Sequence, residues 1–280
     1  MLTEEQKTDY QQQGFVVLKE VITPQWLKAL QARAAVWVND CQDGNRQHIF
    51  STKDNNRTND DYFLDSAEDV RCFFEAEAFD CDGQFVQQKH LCINKIGHAL
   101  HELDSVFNVF SHLAIWGEIA HGLGLKQPQI RQSMYIYKQP RIGGEVNWHQ
   151  DASFFYTVPQ SVITFWFAIE DATLQNGCLW IEPKGHLGPL RERFNRTGKQ
   201  THMQVLSDVP WPTETGVPLE VKAGSLVVFH GLLPHYSAAN RSAHSRQAYT
   251  LHVTDGACVF AKENWLQANK WPLRGFEDNT

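Results

Sequence analysis

Two rhythms divide the chain. Through the N-terminal part, apolar positions recur at helical spacing; after Gln129 they fall into short β-branched and aromatic runs. Thr3 followed by Glu4, Glu5 and Gln6 predicts a capped helix that stops at Gly14, and the apolar residues 15 to 18 predict a short strand. Thr23 then supplies an N-cap with Pro24 at the first helical position. The following WLKALQARAAVWV is helical in spacing, with Trp26, Leu27, Leu30 and Trp37 as its packing face. From 66 to 126 the pattern is again helical, through SAEDVRCFFEAEAF to NKIGHALHELDSVFNVFSHLAIWGEIAHGLG, which closes on glycines. This block is expected to be mostly helical. The segment 41 to 61 is rich in Asn, Asp, Gln, Arg and Thr and has too little apolar surface to order itself, so it predicts a long loop. A lid over an active site and a disordered insertion fit that composition equally.

The runs QSMYIYK, SVITFWFAI, CLWIE, GSLVVFH and RQAYTLHVT, separated by Gly, Pro and Asn turns, predict a β-sandwich or barrel in the C-terminal half. Asn176-Gly177 between two of them is a hairpin signal, since both residues tolerate positive φ. The expected fold is mainly β with flanking helices around a double-stranded β-helix, a jelly-roll and cupin-like core. Residues 1–128 are then a largely helical flank and loop, and 129–256 the β-helix core, within one domain spanning 1–280. A length of 280 residues with 42% hydrophobic content can bury such a core.

Composition narrows the partners. A formal charge of -7 leaves no basic surplus for phosphates, which disfavours nucleic acid and favours a small or neutral substrate. Six cysteines are scattered without a C-x-x-C pair, so they read as reduced thiols rather than a zinc or disulfide framework. The polar, acidic N-terminus is unlike a signal peptide, and no run approaches the ~18 apolar residues of a membrane span. A cytoplasmic protein without a membrane partner is expected.

Candidate chemistry begins in GGEVNWHQDASF. In an extended strand residues i and i+2 share a face, so His149 and Asp151 converge on one point. Two histidines and one carboxylate on one face of an ion leave open positions suited to non-haem Fe(II) and oxygen. Alone, HxD is a weak signal. The segment GSLVVFHGLLPHYSAANRSAHSRQAYTLH adds His235 and Ser237, and with them Arg246, whose planar fork suits a carboxylate. His230, His244 and His252 compete with His235 as the third ligand, and periodicity does not choose among them.

At these residues the chain resembles the phytanoyl-CoA dioxygenase family, and within it the subgroup of domain-containing proteins. The resemblance spans nearly the whole chain. It rests on NKIGHALHELDSVF, QSMYIYKQP, GGEVNWHQDASF, EDATLQNGCLW with the EPKGH that follows, and HYSAANRSAHSRQAYTLH with ENWLQ. It implies iron on His149, Asp151 and His235, the last lying eleven residues before the anchoring Arg246. It further implies that Ser237 donates to the carboxylate of 2-oxoglutarate, and that Lys95, Met134 and Trp166 also contact this cosubstrate. Against those last three stand ordinary readings, core packing for Met134 and Trp166 and a solvated helix charge for Lys95.

The activity implied is an Fe(II)- and 2-oxoglutarate-dependent dioxygenase that uses O2 to hydroxylate a small molecule, releasing succinate and CO2. No catalytic residue beyond the metal ligands is implied. Asp151 occupies the position where halogenating relatives carry a small residue, which favours hydroxylation. The chain lacks a basic cluster that would favour the phosphates of coenzyme A. Two other classes stand beside this one. A catalytically retired 2-oxoglutarate sensor would keep the same ligands, whereas a cupin-like metalloenzyme without oxoglutarate would have no need of Arg246 and Ser237.

Overall fold

The computed structural model describes residues 2–41, 49–50 and 61–277. Helix α1 (Glu4–Gln13) opens with a complete capping box between Thr3 and Gln6 and ends at Gly14, whose φ of 86° is a left-handed cap. Strand β1 (Phe15–Leu18) follows, then helix α2 (Pro24–Asp40), capped by Thr23. Helix α3 (Asp61–Asp65) leads to strands β2 (Val70–Phe74) and β3 (Ile93–His98). Three helices come next: α4 (Leu100–Leu103), α5 (Ser105–Ser111) and α6 (Ala114–Gly122).

The expectation of a mostly helical 66–126 is therefore corrected for β2 and β3. Val70, Phe73 and Phe74 are spaced as on a helix, but the pattern of so short an apolar run is ambiguous. Pairing decides it: β3 lies antiparallel against the long strand β4 (Pro128–Lys138), and β2 against β3. Ladder hydrogen bonds and burial of Phe73 and Phe74 outweigh a weak local preference.

The remaining strands are β5 (Val146–His149), β6 (Thr157–Val158), β7 (Ile163–Ala168) and β8 (Leu179–Ile181). Then come β9 (Glu192–Thr197), β10 (Gln200–Val205), β11 (Val217–Leu219) and β12 (Leu226–His230). The last are β13 (His235–Ser237), β14 (Arg246–Asp255) and β15 (Val259–Phe260). Seven strands form a major sheet in the order β1-β12-β7-β14-β4-β3-β2, and four form a minor sheet in the order β11-β8-β13-β5. The sheets are antiparallel and unclosed, a mainly β architecture of jelly-roll type.

Alternation along the strands assigns each face of the major sheet a task. Phe165, Phe167, Tyr249 and Leu251 pack with Leu30, Phe107, Phe110 and Trp116 of the helices in the largest core cluster. From the other face, Trp166, Ala168, Val227 and Ala248 pack against Leu179 and Ile181 of the minor sheet. Helices seal one side, so the polar groups of β7 and β14 are left between the two sheets.

Two local expectations change. Asn176-Gly177 does form a turn, with Gly177 at φ 86°, but β7 and β8 belong to different sheets, so it is not a hairpin. The Asn176 amide instead donates to the carbonyls of Asp171 and Ser245, bracing a crossing between sheets. Cysteine is also corrected: Cys41 and Cys72 form a disulfide, because the end of α2 lies beside β2 with the two Cα atoms 6.2 Å apart. Cys92 and Cys178 remain buried thiols. Most of the proposed 41–61 lid lies outside the described residues. No helix among the described residues is long and apolar enough to cross a membrane.

Phe110 is fully buried, with ring centroids 5.3 Å from Trp26, 5.5 Å from Trp116 and 5.0 Å from Phe167, and so joins the helices to the sheet. Phe110→Ala should lower the unfolding free energy in urea by about 3–5 kcal/mol, and a loss below about 1 kcal/mol would contradict this account of the core.

Candidate metal centre

The centre is made where β13 meets β5. These strands pair antiparallel with His235 directly across from His149, and their ring centroids are 4.1 Å apart. Strand β5 ends at His149; Gln150 stays extended and Asp151 opens a short 3-10 turn over 151–153. Gln150 is fully buried on the opposite side, where its amide donates to the carbonyls of Pro189 and Leu232 and accepts from the Arg191 amide. That anchorage fixes the direction of its two neighbours.

Asp151 Oδ1 lies 3.7 Å from His149 Nε2 and 3.6 Å from His235 Nε2. Potential ligand atoms of the three residues all lie within 4.8 Å of one another. The far ring nitrogens are committed: His149 Nδ1 bonds the Asn147 carbonyl at 2.7 Å and His235 Nδ1 the Leu233 carbonyl at 3.0 Å. A carbonyl only accepts, so both Nδ1 atoms carry the proton and both Nε2 lone pairs remain for a cation. Burial, reinforced by His235, pushes the His149 imidazole down to about 4, so it is neutral near pH 7 as a ligand must be. Burial alone would raise the pKa of Asp151, yet His235, His252 and His149 hold it well below the usual carboxylate range. Two imidazoles facing one carboxylate oxygen through Nε2 make a donor set that fits a divalent cation of the iron type.

The competing histidines stand elsewhere. His230 Nδ1 accepts from the Leu232 amide and its ring lies 5.3 Å from that of His186, while His244 is exposed on the loop before β14. His252 is close, but its Nε2 faces the other carboxylate oxygen, 3.5 Å from Asp151 Oδ2.

Arg246 opens β14 and is 2% exposed. Its Nε donates to the Gly177 carbonyl at 3.2 Å and its Nη2 to Ser237 Oγ at 3.3 Å, while Ser237 Oγ donates to that same carbonyl at 2.9 Å. Its guanidinium carbon lies 5.4 Å from the Trp166 ring centroid. Nη1 is buried without a partner among the described residues. Burial pushes this guanidinium down to about 10, still protonated near neutral pH. Lys138 stands in register with Arg246, yet its ammonium donates to the carbonyls of Gly144, Ser237 and Ala238. All three of its N–H bonds are thus taken, whereas Arg246 keeps a donor without a partner among the described residues.

Met134 and Trp166 both pair with Thr250, so the three lie side by side on the inner face of the sheet. Lys95 is in β3 rather than on a helix surface. It is buried with Nζ 3.2 Å from the Phe50 ring centroid and 5.4 Å from that of Phe73, and burial pushes it down to about 7 against the pull of Glu75. It touches this aromatic surround rather than the Arg246 group. Sequence reasoning overlooked Lys138, Thr164 and the Gly177 carbonyl. A lysine within YIYK and a threonine within the apolar run VITFWF were the available signals.

A family model described as Phytanoyl-CoA dioxygenase (PhyH) matches residues 10–248. A phytanoyl-CoA dioxygenase of Arabidopsis thaliana is 44% identical over 277 residues, covering 97% of this chain and 95% of the relative. A phytanoyl-CoA dioxygenase domain-containing protein 1 of Mus musculus is 40% identical, covering 95% of each. Among solved structures, EctD from S. alaskensis with 2-oxoglutarate and 5-hydroxyectoine superposes with a TM-score of 0.69 at 16% identity, covering 99% of this chain and 88% of that one. The non-heme alpha ketoglutarate dependent carbocyclase SnoK gives 0.65 at 19% identity, covering 98% and 96%. At these identities the structural likeness speaks for the fold alone.

The geometry predicts that Mn(II), an air-stable probe, binds once per chain. Asp151→Ala should weaken it by more than about hundredfold, beyond the usual cost of losing an outer partner, while His244→Ala should leave it unchanged. Calorimetric titration checks both, and equal binding by Asp151→Ala would contradict the site.

Proposed function

Since the chain belongs to the phytanoyl-CoA dioxygenase family, we propose that it is a 2-oxoglutarate-dependent dioxygenase whose 280 residues act as one catalytic domain hydroxylating a small molecule. His149, Asp151 and His235 would hold Fe(II), and Arg246 with Ser237 the distal carboxylate of 2-oxoglutarate. Bound iron supplies activation of O2, coupled to decarboxylation of 2-oxoglutarate to succinate and CO2. The protein's own work is to orient the reactants and exclude water.

The observation that carries this reading is the unpartnered Nη1 of Arg246. A buried cation with an unused donor is costly unless an anion meets it, and a guanidinium fork matches a carboxylate. Spacing supports the same ligand. Ser237 follows His235 by two residues on β13, about 6.7 Å along a strand, comparable with the length of a five-carbon diacid. The metal end and the carboxylate end of the cosubstrate would then lie along one short strand. Trp166 packs beside the guanidinium, and Met134 and Thr250 line the same face, a wall for the carbon chain of the cosubstrate. Lys95, whose ammonium lies against the Phe50 ring, would contact the cosubstrate from β3 at a point apart from the Arg246 anchor. With iron bound, the Asp151 carboxylate would be one of its ligands, which favours hydroxylation over halide transfer.

Succinate formation from 2-oxoglutarate should be detectable with Fe(II) and oxygen even before a prime substrate is supplied. Arg246→Lys keeps the charge and loses the fork, so the KM for 2-oxoglutarate should rise by roughly ten- to hundredfold, the equivalent of a charge-assisted hydrogen bond. Metal binding should stay intact. A change below about twofold, as an exposed ion pair would give, contradicts the anchor.

A further inference from the structure

We propose that Thr164 and His252 are positioning residues that hold the second oxygen of Asp151, so that this carboxylate offers one oxygen to the metal; the inference rests on the metal centre described above. Neither residue belongs to the ligand set. Thr164 lies in β7 and His252 in β14, and the two are direct cross-strand partners, so their side chains emerge side by side on the face between the sheets. Asp151 reaches that face from the turn after β5.

The two oxygens of Asp151 have separate surroundings. Oδ1 faces the Nε2 atoms of both His149 and His235. Oδ2 accepts a hydrogen bond of 2.5 Å from Thr164 Oγ1 and lies 3.5 Å from His252 Nε2. Thr164 is 1% exposed and His252 4%, so neither polar group reaches water. A hydroxyl within the run Ile163–Ala168 is unfavourable unless bonded, and the carboxylate is the partner it has.

His252 is held from its other side. Its ring stacks on Phe155 at 4.7 Å between centroids and 23° between planes, and its Nδ1 is buried with no partner among the described residues. A proton on Nδ1 would be a buried donor without an acceptor, so the geometry assigns it to Nε2, which faces Oδ2. The pair thus presents an O–H and an N–H to the same oxygen.

A carboxylate bound through both oxygens would occupy an extra coordination position. With Oδ2 engaged, Oδ1 alone faces the two histidines, so the carboxylate would give a bound ion one oxygen and would leave room for cosubstrate and oxygen. Outer partners of metal-bound carboxylates commonly carry this orienting role.

Co(II) titration, followed by calorimetry and by the ligand-field absorption of the bound ion, tests this without using turnover. Thr164→Val keeps the shape and β propensity of the side chain but removes the donor. It should weaken Co(II) by about ten- to hundredfold, the usual cost of an outer partner, and change the ligand-field spectrum. Thr164→Ser, which restores a hydroxyl, should return affinity to within about threefold of the parent, a rescue that a packing role alone would not require. His252→Phe retains an aromatic ring against Phe155 and removes the N–H. It should alter the spectrum in the same direction and serves if Thr164→Val does not fold. Because both donors act on one oxygen, the double variant should lose less than the two single losses combined. Thr164→Val or His252→Phe with parental affinity and spectrum overturns the proposal while the metal centre stands. Failure of the parent protein to bind Co(II) overturns the centre and this inference together.

Discussion

The pairing of β13 with β5 is the constraint on which the site depends. It puts His235 across from His149, within reach of one oxygen of Asp151, and carries Ser237 toward Arg246. Lys138 secures that pairing from beneath: its buried ammonium joins the carbonyls of Ser237 and Ala238 to that of Gly144, just before β5. Burial and the charge of Arg246 both depress this lysine's pKa, while its carbonyl partners satisfy its donors. Two positive groups therefore lie under the site, and of these two the guanidinium keeps a buried donor without a partner among the described residues.

The sheet alternation performs the same division on a larger scale. Large apolar side chains of β7 and β14 are sent to the helices, where Phe110, Trp116 and Phe167 interlock. Their neighbours, Thr164, Trp166, Arg246 and Thr250, are sent to the space between sheets. A one-residue slip of either strand would exchange the two sets, so the burial of the aromatic face fixes the register of the polar one. Packing of the aromatic face thereby determines where the candidate ligands and their neighbours stand.

Much of this was legible in the sequence, and for physical reasons. The capping box at Thr3, the Thr23-Pro24 helix start and the short strand before it depend on neighbours in the chain, and all three are present. His149 and Asp151 are two residues apart in sequence and remain on one side in space, so local periodicity sufficed. Periodicity did not choose among His230, His235, His244 and His252; the family resemblance pointed to His235, and the pairing that puts it across from His149 is tertiary information. The same limit explains β2 and β3: Phe73 and Phe74 suit a helix or a strand, and the free edge of β4 decides. Asn176-Gly177 was legible as a turn but not as a passage between sheets. The Cys41–Cys72 bond likewise depends on α2 ending beside β2. Thr164 was hardest to find, because nothing local distinguishes a hydroxyl aimed at a carboxylate from one tolerated in a strand, and His252 was legible only as a competing ligand.

His149, Asp151 and His235 are proposed to hold a metal beside a dicarboxylate anchored by Arg246. Anaerobic titration of Fe(II)-loaded protein with 2-oxoglutarate, followed by visible metal-to-ligand charge-transfer absorption, tests this arrangement most directly. An absorption that saturates at one equivalent per chain, and that Asp151→Ala does not develop, is the expected result. Iron bound tightly at the centre with no such absorption on adding 2-oxoglutarate would contradict it.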